Sequence, residues 1–85
     1  MLYRIFTEDT NRSRIEELCS NFFDAFTLIS AQGFWKGNKE NSLIVEVVDD
    51  NDITDQINNL ALAIKRDNKQ EAMLIQKVAN SQYLL

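Results

Sequence analysis

Histidine is absent from the 85-residue sequence. Its absence removes imidazole acid–base catalysis, serine–histidine nucleophile pairs and zinc sites built on imidazole nitrogen. A single cysteine, Cys19, excludes an internal disulfide and leaves no second sulfur at metal-ligand spacing. Proline is also missing, and the only glycines are Gly33 and Gly37. Without Pro-rich or Gly/Ser-rich runs there is no place for a linker, so residues 1–79 read as one domain with one core and 80–85 as a short tail. Both glycines fall within a hairpin pattern rather than between a strand and a helix, which excludes a phosphate-binding loop. The acidic run Asp49–Asp52 with Asp55 lacks the central glycine and terminal glutamate of an EF-hand and reads as helix capping. No cofactor and no metal are expected.

Long apolar runs are likewise lacking. The start MLYRIFTED has no basic segment followed by an apolar one, and the expected location is the cytoplasm. Nine Lys and Arg against 13 Asp and Glu give a net charge of −4, which argues against a phosphate-backbone surface and hence against nucleic acid as a partner. A chain this short buries only about 60–65% of its unfolded surface, so its stability as a monomer should be marginal.

What is present is a regular succession of patterns. Leu2–Glu8 reads as a strand, and Thr10 or Asn11 can cap a helix over 12–23 whose apolar stripe is Ile15, Leu18, Cys19 and Phe22. A thiol within such a stripe reads as a buried structural group. Phe26–Trp35 and Ser42–Val48 read as two strands of a hairpin joined through Lys36–Asn41, with Gly37-Asn38 taking the positive φ. Gly33 within its strand signals a bulge or a close backbone approach. Asn51 or Asp52 can cap a second helix with the stripe Ile53, Ile57, Leu60 and Ile64, fraying near 66–69, and Gln70–Val78 reads as a last strand. Tyr83, Leu84 and Leu85 lie in the tail. The order βαββαβ fits a ferredoxin-like α+β sandwich, an antiparallel sheet with two helices on one face.

If the charge-free face of each strand meets the helices, the other face collects Leu2, Arg4, Phe6, Ile44, Glu46 and Val48. That set is too apolar for free water, and it predicts face-to-face or edge association into a homo-oligomer, with Arg4 and Glu46 pairing across the two central strands. The candidate ligand site is the hairpin tip. Trp35 beside Lys36 and Lys39, with Glu40, combines an aromatic face with charges able to hold a planar or anionic molecule. Tyr3, Thr7, Glu8 and Asp9 form a second, weaker cluster around the first strand, from which Tyr3 joins the candidate ligand residues.

The residues Phe23-Asp24, Phe26-Thr27-Leu28, Ala31, Gly33, Trp35-Lys36-Gly37, Glu40, Ser42, Ile44-Val45 and Gln70 together resemble a bacterial and phage-associated family of small uncharacterised domains, over roughly 60 residues. The resemblance implies a ferredoxin-like fold and brings no activity with it. Two functions of different class follow. One is a non-enzymatic binding protein whose open sheet and hairpin hold another copy, a host protein or a small anionic ligand, in the manner of a phage or mobile-element factor. The other is a small oligomeric enzyme with Glu40, Tyr3 or Arg4 at a subunit cleft, against which the missing histidine weighs.

Overall fold

The computed structural model describes residues 1–79; the tail expected at 80–85 lies outside the described residues. Six elements follow one another: β1 (Leu2–Glu8), α1 (Arg12–Phe22), β2 (Thr27–Trp35), β3 (Asn38–Val48), α2 (Thr54–Asn68) and β4 (Leu74–Val78). The strands form one antiparallel sheet in the order β2-β3-β1-β4. This is the ferredoxin-like βαββαβ sandwich that the hydrophobic patterning implied.

Alternation along β1 and β3 decides which side of the sheet carries the helices. Tyr3, Ile5, Leu43, Val45 and Val47 are buried, and they share one core with Ile15, Leu18 and Cys19 of α1 and Ile57, Leu60, Ala61 and Ile64 of α2. The complementary set faces away. Leu2 stands opposite Val48, Arg4 opposite Glu46 and Phe6 opposite Ile44, so all six share the open face. Arg4 Nε donates to Glu46 Oε2 at 2.6 Å, the cross-strand pair the pattern called for. From the flanking strands Ile29, Leu74 and Val78 join the same face.

Several boundaries differ from the expectations, each for a local reason. The hairpin turn is two residues, Lys36 (φ 51°) and Gly37 (φ 79°), with Trp35 paired to Asn38. Two consecutive positive φ values give a turn whose twist matches the strands, so β3 starts at Asn38 and not at Ser42, and Lys39, Glu40 and Asn41 belong to it. Gly33 keeps the register unbroken opposite Glu40, so there is no bulge. It permits a close approach instead: a Cβ at 33 would stand 2.6 Å from Ser42 Oγ.

At the start of α1, Asn11 adopts φ 55° and makes no side-chain cap; its backbone carbonyl accepts the Arg14 and Ile15 amides. Phe22, expected in the buried stripe, lies in the last turn and is 38% exposed. For α2 the N-cap is Ile53, one residue beyond the expected Asp52, and it has no side-chain cap; Asp52 Oδ1 instead accepts the Thr54 amide at 3.0 Å from the position before it. The far end of α2 does not fray within 66–68. Lys69 in the left-handed region returns its amide to Arg66, and Gln70 N–H reaches the Lys65 carbonyl at 3.0 Å. Because the Gln70 amide closes the helix, β4 begins four residues later than expected, at Leu74.

Candidate ligand cleft

β1 stops at Glu8, opposite Ser42, while β2 and β3 run on to their turn at Lys36-Gly37. On the other side of β1 the segment from Lys69 to Met73 climbs from α2 to β4. Between the projecting hairpin and this segment lies a cleft of about 740 Å³, within the range of small-molecule sites. Its hairpin wall carries Gly33, Phe34, Trp35, Glu40 and Ser42, and its floor carries Phe6, Thr7 and Glu8. Lys69, Gln70, Glu71, Met73 and Leu74 complete the opposite wall.

Two cross-links hold these walls. Gln70 Oε1 accepts both the Thr7 hydroxyl at 2.7 Å and the Glu8 amide at 3.0 Å, so a side chain takes the place of the β4 rung that β1 lacks there. Higher up, Lys36 Nζ lies 3.4 Å from Glu71 Oε2 and 5.7 Å from the centre of the Trp35 ring. Lys36 therefore spans the mouth, between the hairpin tip and the opposite segment. Trp35 is 49% exposed, leaving its ring free to stack on a planar group, while the more exposed Phe34 ring projects from the opposite face of the strand. With Lys36 engaged by Glu71, the remaining charged groups of the cleft are the carboxylates of Glu8 and Glu40 and the ammonium of Lys69. This balance favours a ligand with a positive or hydrogen-bond-donating centre next to a flat ring.

Of the residues singled out in the sequence, Trp35, Lys36 and Glu40 meet at this cleft, joined by Thr7 and Glu8. Lys39 pairs with Phe34 on the other side of the hairpin from Trp35 and does not line it. Tyr3 is elsewhere. It is 1% exposed, its hydroxyl accepts the Ile53 amide at 3.1 Å, and it belongs to a knot at the opposite end of the sheet with Asp52 and Lys77. Asp9 is taken by Arg12 at 2.6 Å, and this hydrogen-bonded guanidinium holds its carboxyl below the usual range. The sequence reasoning missed Phe34, Glu71, Met73 and Leu74 as part of the site. Only Gln70 carried a signal, as the last position of the motif.

Among the described residues no group of acidic, cysteine or histidine side chains is arranged to hold a metal ion, and no helix is long and apolar enough to cross a membrane.

No family model matches the sequence, and no curated protein matches it. Solved structures do share the fold. A phage SAM lyase in its apo state superposes with a TM-score of 0.69 at 16% identity, covering 98% of this chain and 91% of its own. A protein of the DUF3240 family from Shewanella baltica gives 0.68 at 16% identity, over 99% and 94%. CPII, a nitrogen regulatory PII-like protein from Thiomonas intermedia bound to ADP, AMP and bicarbonate, gives 0.59 at 10% identity, over 88% and 82%. At these identities the likeness shows that this chain is similar to them in fold.

Proposed function

We propose that the protein is a small homo-oligomeric binding protein that holds an adenosine-bearing molecule in the cleft between the hairpin and the segment before β4. The cleft itself carries the reading: about 740 Å³, with the exposed Trp35 ring and Glu40 on one wall and the Glu8 carboxylate at its floor. Stacking supplies affinity for a purine, while Glu8 and Glu40 accept hydrogen bonds from amino groups or attract a positive centre. Two of the fold neighbours are described by such molecules, one as a SAM lyase and one as bound to ADP and AMP, which supports the choice of ligand class. The anionic ligand expected from Lys36 and Lys39 fits less well, since Lys36 meets Glu71 and Lys39 lies outside the cleft.

Phe6, Glu40, Ser42 and Leu74 belong both to the cleft and to the open sheet face. A second copy covering Leu2, Phe6, Ile44 and Val48 would then form a further wall. Trp35, the only tryptophan, reports on the site directly. Titrating SAM, S-adenosylhomocysteine and adenosine against its fluorescence should give saturable quenching, and Glu40→Gln should weaken that of the cationic SAM about tenfold. If none of the three changes the signal up to about 1 mM, a concentration matching weak binding, the ligand class is wrong. Sedimentation tests the oligomer: Val48→Lys, at a position 59% exposed, should dissociate it without unfolding the chain.

A second reading makes the same cleft catalytic, an active site between subunits. It is favoured by Glu8 and Glu40 facing a site whose fold neighbour is a phage lyase, and it keeps a phage or mobile-element role in view. Mass spectrometry of SAM incubated with the purified protein decides it: intact SAM after long incubation, with binding retained, leaves the non-enzymatic reading.

A further inference from the structure

The edge strand β2 is the feature that the cleft leaves unexplained. Its sequence, TLISAQGFW, has no charged side chain, whereas β1 carries Arg4 and Glu8, β3 carries Lys39, Glu40 and Glu46, and β4 carries Lys77. It lies at the edge of the sheet and pairs on one side only, with β3. All nine residues keep an unbroken register, so no bulge twists the edge away. Proteins that leave a strand edge in water ordinarily guard it with lysine, proline, a bulge or a short length. Here every one of those devices is missing, over about 30 Å of strand. The neighbouring cation is also neutralised: Arg12, whose Nη2 reaches Ser30 Oγ at 2.9 Å, is held by Asp9. Ile29, Phe34 and Trp35 add exposed apolar side chains on both sides of the edge.

We infer that the free edge of β2 pairs with a strand of a second copy, continuing the sheet from one protomer into the next. The occupant is argued from charge. Each copy carries −4, and β2 is the described strand along which two copies can approach without setting like charges opposite one another. Pairing there also extends the open face sideways from Ile29 and Ala31, so the apolar surface is continued by the partner instead of ending in water. The inference rests on the self-association proposed above and goes beyond it by naming the edge as well as the face.

Hydrogen exchange on the full-length protein, read residue by residue over 27–35, tests it. Alternate amides of β2 point away from β3 and have no partner within the chain. At high protein concentration these amides should be protected, and dilution below the association midpoint should release them. Gln32→Lys, at an exposed position that leaves the fold intact, should raise the dissociation constant about fivefold, as expected for a charge introduced into a strand pair. Outward amides that exchange freely in an oligomer sedimenting at its full size would overturn the edge pairing while leaving the face-to-face reading standing. A monomer at high concentration would overturn both. Protected amides in a protein whose association Val48→Lys does not touch would support the edge against the face.

Discussion

The Gln70 carboxamide meets the Thr7 hydroxyl at 2.7 Å across 63 residues of sequence, and it binds the Glu8 amide in the same stroke. Thr7 is the one buried polar side chain among the described residues, at 5% exposure, so its hydroxyl depends on this partner. Gln70→Ala would leave Glu8 N–H unpaired and the Thr7 hydroxyl with only a 3.3 Å contact to the Glu8 carbonyl. Such a loss costs about 1–3 kcal/mol. Urea denaturation should show that destabilisation, and Thr7→Val in the Gln70→Ala background should add little to it. Full additivity of the two changes would mean that the pair is not coupled.

Gly33 and Ser42 make a second dependent pair. The strand at 33 has no positive φ, so space rather than backbone conformation demands glycine: a Cβ would come within 2.6 Å of Ser42 Oγ but 3.7 Å of its Cβ. Gly33→Ala should therefore destabilise by about 1–3 kcal/mol, the usual cost of overpacking. Ser42→Ala removes the clashing oxygen and should recover most of it. A double-mutant cycle measures the coupling, and a coupling near zero would place the strain elsewhere.

These two pairs mark where sequence reasoning succeeded and where it stopped. Ile15, Leu18 and Cys19 in one helix, Ile57, Leu60 and Ile64 in the other, and Leu43, Val45 and Val47 between them announce their buried faces by spacing alone, and the element order then allows few topologies. The Arg4–Glu46 pair followed from that same register. The cleft was legible only on its hairpin side, where Trp35, Lys36 and Glu40 are close in sequence. Its other wall depends on Gln70 spending its amide on the helix end and its carboxamide on β1, a division of labour with no periodicity to reveal it. Tyr3 was misplaced for the opposite reason. Strand alternation put it on the helix side, but its residue type suggested a ligand contact; burial and the Ile53 amide settle its role as packing.

The turn makes a prediction with two signs. Gly37 at φ 79° cannot accept a side chain without strain, so Gly37→Ala should cost about 1–2 kcal/mol. Lys36 at φ 51° already bears that strain, and asparagine tolerates this region better than lysine. Lys36→Asn should raise the thermal midpoint, because the Glu71 contact it gives up is about 70% exposed on both sides and contributes little. If the same variant weakens ligand quenching of Trp35, the natural lysine is retained for the cleft at the expense of the turn. A lowered midpoint would instead make the Lys36–Glu71 bridge structural.

At the other end of the sheet, Asp52 supplies a pH dependence whose direction is fixed. Its carboxylate accepts the Thr54 hydroxyl at 2.5 Å and the Thr54 amide at 3.0 Å, with Lys77 Nζ 3.3 Å away, and these contacts in that order lower its pKa to about 2. In the unfolded chain an aspartate titrates near 3.9. The folded value is depressed, so the group contributes stability that is complete above the unfolded value and is lost as pH falls from about 4 through about 2. Other carboxylates titrate over the same range, which makes the difference between wild type and Asp52→Asn the quantity to follow. Wild type should be the more stable at pH 7, with the gap shrinking below about pH 4 and nearly gone below about pH 2. A gap that stays constant down to the acid limit would show that Asp52 acts through shape and hydrogen-bond count alone, and not through its charge.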